Sequence, residues 1–193
     1  MVKIDRKVGA SYKHLCGGSL ITSQLVLTAA HCLDNIDISS LRLLLGVDDI
    51  NNMKKHFAEE RIVVKSFVHP LYNPWRSYYD IAILQANQEV NFTGAIHSIC
   101  LPERPNFDVD SRVNDLATLT GWGANSRADE TASDTLQMAQ MSIRSAKFCN
   151  NSYVATGSIG ARIRTNLPGL FQPNIFCAGY EASFEPDISK KPF

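Results

Sequence analysis

The chain has 193 residues, 45% of them apolar, and its 19 Lys plus Arg balance its 19 Asp plus Glu. That length holds one ordinary domain or two small barrels, and that apolar share excludes global disorder. The charge balance gives no electrostatic reason to expect nucleic acid or an anionic membrane as partner, and apolar runs such as "LRLLLGV" are too short to cross a bilayer.

The chain opens on "MVKIDRKVGASYK", which lacks the apolar segment of a secretory leader. We read this start as not the natural one. Short strands are predicted at "GGSLIT" (17–22), "LVLTAA" (25–30), "LRLLLGV" (41–47), "ERIVVKSFV" (60–68), "DIAILQA" (80–86), "LATLTGWG" (116–123) and "LQMAQMSI" (136–143). Turn-forming clusters such as "DNID", "DDINN", "HPLYNP" and "LPGLFQPN" separate them. "SAKFCNN" (145–151) has the pattern of a short helix. Many short strands with punctuating turns point to all-β barrels or a sandwich. "SICLPERPNFDVDSRVND" (98–115) is long, polar and proline-bearing, the natural place for one half to hand over to the other.

The five cysteines are Cys16, Cys32, Cys100, Cys149 and Cys177, with no C-x-x-C pair. Zinc-ribbon and thioredoxin readings therefore have no support, and widely spaced cysteines in a strand-rich chain suit disulfides outside the cell. Sequons at Asn91 and Asn150 would permit glycosylation.

The chemistry centres on "LTAAHC" (27–32) and "YYDIAIL" (78–84). A hydrolytic histidine must be a fixed imidazole, one nitrogen facing a nucleophile and the other held by a carboxylate. His31 follows a strand, and Cys32 beside it can bridge to Cys16, anchoring the backbone next to the ring. Closing a loop of that length stabilises by roughly 3 kcal/mol. Asp80 directly precedes "IAIL", which draws it inward. A buried carboxylate needs a partner, and a histidine ring N–H satisfies it.

Six motifs, "CGGSLIT", "VLTAAHC", "DIAIL", "ICLP", "LTGWG" and "FCAGY", stand in the order found in trypsin-like (chymotrypsin-fold) serine proteases and span Cys16 to Tyr180. The chain resembles that family. The resemblance implies an all-β fold of two antiparallel six-stranded barrels, the second incomplete. Residues 1–100 would form the first barrel, and 101–193 a linker and the partial second barrel. His31 would be the general base and Asp80 its orienting carboxylate, meeting at a cleft between the barrels. Cys16–Cys32 and Cys149–Cys177 would be disulfides. Cys100 would tie the chain to an upstream pro-segment, as in cascade proteases with a clip domain. Ala117 stands where many relatives carry a further cysteine. The expected substrate is protein and the expected location extracellular. No cofactor and no metal ion is expected.

The family's nucleophile motif, Gly-Asp-Ser-Gly, occurs nowhere in the 193 residues. The oxyanion hole, built from the same loop, is expected to be missing with it. Ser189 lacks the flanking glycines that a strained nucleophile turn needs. Residues 181–193 read as a foreign ending rather than a protease loop. Two functions follow as expectations: a serine endopeptidase seen as a fragment, or a protease homologue that binds without cleaving.

Other residues get the plainer reading. His14, His56, His69 and His97 have no motif around them. Trp122 is assigned to packing. Asp48, Asp49, Glu59 and Glu60 lie where some relatives hold calcium, but a solvated charged loop is the better reading of them.

Overall fold

The computed structural model describes residues 1–50, 58–75, 78–102, 110–123, 133–148 and 176–179. Nine strands run through these residues. They are β1 (Val2–Val8), β2 (Ser11–Leu20), β3 (Leu25–Thr28), β4 (Leu41–Leu45), β5 (Glu59–Val68), β6 (Ala82–Ala86), β7 (Leu116–Gly121), β8 (Gln137–Arg144) and β9 (Cys177–Gly179). The first six close into an antiparallel barrel in the order β1-β2-β3-β6-β5-β4, and the last three form a sheet in the order β7-β8-β9. The all-β barrel architecture expected from the sequence is therefore present. A helical turn occupies 146–148, inside the stretch expected to be helical.

The barrel is built on two-residue periodicity. Val2 and Ile4 of β1, Leu41, Leu43 and Leu45 of β4, and Leu84 and Ala86 of β6 all point into one core. Gly18 lets β2 and β3 come together. A Cβ there would stand 2.7 Å from Val26 Cγ1 and 2.9 Å from the Leu27 carbonyl oxygen, so only glycine fits.

Strand limits differ from the sequence reading in several places. β1 was not expected at all, because its apolar residues alternate with Lys3 and Asp5. Both charges are nevertheless buried. Lys3 pairs with Asp5, Arg42 donates to Asp5 Oδ2 from Nε (3.1 Å) and Nη2 (3.0 Å), and His14 Nδ1 lies 3.9 Å from Asp5 Oδ1. "GGSLIT" is only the end of a ten-residue strand. The strand of "LVLTAA" stops at Thr28, where the backbone turns into a 3₁₀ turn at Ala30–Leu33, and that of "DIAILQA" starts only at Ala82.

The chain divides into two compact units. One comprises Met1–Glu103 with Thr120–Gln137, the other Arg104–Leu119 with Met138–Phe193. In the first, Trp122 is buried and meets His14 edge-on at 5.9 Å, a packing role. In the second, β8 pairs with β9 from Ser142 opposite Gly179 to Arg144 opposite Cys177.

Candidate functional site

Two strands of the first barrel bring the site together. β3 and β6 pair antiparallel with Thr28 opposite Ala82 and Leu27 opposite Ile83. The chain leaving β3 after Thr28 and the chain entering β6 at Ala82 thus lie at the same end of the barrel. His31 is carried by the 3₁₀ turn that follows β3, and Asp80 by the last residues before β6. Forty-nine positions apart in the chain, they meet side by side.

Both carboxylate oxygens of Asp80 are engaged. Oδ1 accepts the His31 backbone N–H at 2.8 Å, and Oδ2 lies 2.7 Å from His31 Nδ1. With Asp80 ionised, Nδ1 carries the proton and donates it, which leaves the lone pair on Nε2. Partial burial pushes the Asp80 carboxyl up. The His31 side-chain and backbone hydrogen bonds, the His31 charge and the Ala30 N–H together outweigh burial and hold it below the ordinary carboxylate value. The His31 side chain is 61% exposed, open to a reacting group.

Cys16 and Cys32 form a disulfide with Cα atoms 6.2 Å apart. Cys16 lies on β2 and Cys32 on the 3₁₀ turn, so the bond fastens the residue after His31 to the neighbouring strand. His31 Nε2 lies 3.6 Å from Cys32 Sγ.

The loop that delivers Asp80 has its own scaffold, which the sequence did not disclose. His69 N–H donates to the Ile81 carbonyl (3.1 Å), Asn73 N–H to that of Tyr78 (3.0 Å) and Tyr72 N–H to that of His69 (2.9 Å). The His69 and Tyr79 rings stack at 4.6 Å with 4° between planes, and His69 Nδ1 accepts the Leu71 N–H at 3.1 Å. Tyr79, next to Asp80, sits at φ 52°. A side-chain-bearing residue in the left-handed region costs about 1–3 kcal/mol and persists only where its surroundings fix it. Tyr72 adds a clamp: its hydroxyl donates to Asp34 Oδ2 at 2.8 Å, and the Asp34 N–H donates to the His31 carbonyl at 3.3 Å. Partial loss of solvent, the Asp34 hydrogen bond and charge, and the Asp80 charge push the Tyr72 phenol up to about 12. Asp34 and Tyr72 were missed because the clamp exists only once two loops fold together. The single signal available was the acid two residues past Cys32.

Other candidates fall as follows. Cys100 is exposed and not disulfide-bonded. Cys177 is in a disulfide, while Cys149, its expected partner, lies outside the described residues. Asn91 is exposed; Asn150, Ser189 and His56 lie outside the described residues. Of the four acids weighed for calcium, Glu59 pairs with Arg61 and Glu60 with Arg42 at 3.2 Å.

Comparison with known proteins finds relatives over most of the chain. The family model described as Trypsin matches residues 1–188, running past Tyr180 into the segment read as a foreign ending. The chain is 34% identical to serine proteinase stubble of Drosophila melanogaster over 175 residues, 90% of this chain and 20% of that protein. It is 31% identical to Limulus clotting factor C of Carcinoscorpius rotundicauda over 175 residues, 86% of this chain and 16% of that one. It is 35% identical to chymase of Cavia porcellus over 140 residues, 72% of this chain and 53% of that one. The chain thus spans between about a sixth and about half of the length of these curated relatives.

Proposed function

The chain belongs to the trypsin family of serine proteases, and from that membership we propose that it is part of a secreted serine endopeptidase of the zymogen-cascade type. His31 acts as general base and Asp80 as the carboxylate that orients it. The observation that supports this reading is the Asp80 carboxylate, gripped by the His31 ring and the His31 backbone together. That double hold fixes the ring's tautomer and its direction.

In the proposed reaction a serine hydroxyl attacks the carbonyl carbon of a protein substrate. His31 Nε2 takes the hydroxyl proton, and Asp80 stabilises the imidazolium that forms. The same proton then goes to the leaving amine. The serine is not supplied by a Gly-Asp-Ser-Gly motif among the 193 residues. Cys100, exposed and outside any disulfide, is the proposed attachment point for an upstream pro-segment. Asn91 and Asn150 are proposed glycan sites, in keeping with an extracellular protein.

A second reading rests on the same missing motif: a protease homologue that binds protein without cutting it. A fluorophosphonate probe separates the two. The 193-residue chain should not be labelled. The protein as its source organism makes it should be labelled if it is an endopeptidase, and its Asp80→Asn variant should turn over substrate about 10⁴-fold more slowly with the fold kept. An unlabelled natural product favours the binding reading, and full turnover by the variant removes Asp80 from its role.

A further inference from the structure

We propose that Tyr72 is a positioning residue for the His31–Asp80 pair, acting through Asp34: its hydroxyl ties the turn that carries His31 to the loop that carries Asp80. This role rests on the protease reading of that pair. Behind it stands a closed circuit of contacts. The Asp34 N–H donates to the His31 carbonyl at 3.3 Å, and Asp34 Oδ2 accepts the Tyr72 hydroxyl at 2.8 Å. The Tyr72 N–H donates to the His69 carbonyl at 2.9 Å, and the His69 N–H to that of Ile81 at 3.1 Å. Ile81 follows Asp80, whose carboxylate returns to His31 through Oδ1 and Oδ2.

The His31 ring has little packing to hold it, with 61% of its side chain exposed. Its direction is therefore set by hydrogen bonds, above all the 2.7 Å contact of Nδ1 with Asp80 Oδ2. Such a bond weakens steeply as its angle closes and its length grows, so it depends on the spacing of two separate loops. The Asp80 loop would not keep that spacing unaided. Tyr79, next to Asp80, sits at φ 52°, and a residue held in the left-handed region relaxes unless its surroundings fix it. The His69 ring stacked on Tyr79 at 4.6 Å and the Tyr72–Asp34 bond are those surroundings.

The link stays closed around neutral pH. Loss of solvent, the Asp34 hydrogen bond and charge, and the Asp80 charge push the Tyr72 phenol up to about 12, so its hydroxyl keeps its proton and remains a donor. A bond to an ionised acceptor such as Asp34 is stronger than one between neutral groups. Within the circuit, the Tyr72–Asp34 bond is made by two side chains, whereas the bonds of Asp34 N–H, Tyr72 N–H and His69 N–H run from backbone to backbone. Removing the one hydroxyl oxygen of Tyr72 therefore opens the circuit and leaves the backbone bonds in place.

The test reads the tautomer of the His31 ring from its nitrogen chemical shifts, in the 193-residue chain with isotopically labelled histidine and the ring neutral. The signals are assigned by their loss in His31→Ala. In the parent the proton should sit on Nδ1. In Tyr72→Phe the ratio of Nδ1–H to Nε2–H rings should fall by about three- to tenfold, the equilibrium worth of one hydrogen bond. Asp34→Ala should match it, and the double variant should be no worse than either. Asp34→Asn keeps an acceptor for the Tyr72 hydroxyl and should hold the parent ratio. Should Tyr72→Phe not fold, Asp34→Ala reports on the same link. A Tyr72→Phe ratio equal to the parent's overturns the proposal. So does an Asp34→Asn ring shifted as far as that of Asp34→Ala, or a parent ring with its proton on Nε2. In the protein as its source organism makes it, Tyr72→Phe should lower kcat by about 10- to 100-fold with KM within about twofold, and an unchanged kcat also overturns the role. A natural product that a fluorophosphonate does not label removes the protease reading instead, and the tautomer ratio then decides the link by itself.

Discussion

Asp80 is where the pair reports on pH. Its carboxyl is held below the ordinary value in the folded chain. A depressed acid contributes stability that is fully present above the unfolded value of about 3.9 and is lost as pH falls through the folded value. The melting temperature of the parent should therefore exceed that of Asp80→Asn at neutral pH, and the gap should shrink below about pH 4. A gap that stays constant down to acid would mean the two His31 hydrogen bonds do not favour the ionised form. The clamp next to it has an optical readout. Tyr72 titrates at about 12, and Asp34→Asn removes the charge that holds its proton. In the ultraviolet difference spectrum between each protein and its Tyr72→Phe partner, phenolate should then appear at lower pH, toward the ordinary value of about 10. His31 and Asp80 were legible in the sequence because each stands in a short distinctive run, an imidazole before a cysteine and an acid before "IAIL". Asp34, Tyr72, His69 and Tyr79 were not. What they do depends on stacking and hydrogen bonds between residues that no periodicity connects.

At the scale of single elements, legibility followed how charge is handled. β4 reads as a strand because Leu41, Leu43 and Leu45 repeat every second residue. β1 does not, because its intervening residues are Lys3 and Asp5, and a lysine and an aspartate signal solvent. Here they are buried and satisfy one another with help from Arg42. Burial of charge is tolerated when the partners are in place, and the partner from β4 lies 37 positions away. The contact of β2 with β3 gives a direct test. Gly18→Ala would press a methyl group against Val26 and the Leu27 carbonyl oxygen, both closer than ordinary contact. We expect a loss of about 1–3 kcal/mol in denaturant unfolding. A loss near zero would show that β3 can move away from β2 freely, which its pairing with β6 argues against.

For the molecule as a whole, the prediction concerns Cys100. The chain covers 20% of serine proteinase stubble and 16% of Limulus clotting factor C. The exposed Cys100 is the one cysteine among the described residues recorded as free. If it anchors a pro-segment, electrophoresis of the natural product after activation should show one band without reductant and two with it. Cys100→Ser should give two bands under both conditions. A parent that separates without reductant would leave Cys100 with no partner of that kind.

The alignment of Thr28 with Ala82 has a bearing beyond stability. The spacing from each strand end to its functional side chain acts as a ruler, two residues back from Ala82 and three forward from Thr28. Adding a single alanine between Thr28 and His31, or between Asp80 and Ala82, would leave every named side chain in the chain and the barrel core untouched. It would nonetheless swing one partner out of reach of the other. Insertions at other corners of the barrel, such as the turn after Val8, should be borne without that penalty, so the chemistry here is written as much in chain length as in residue identity.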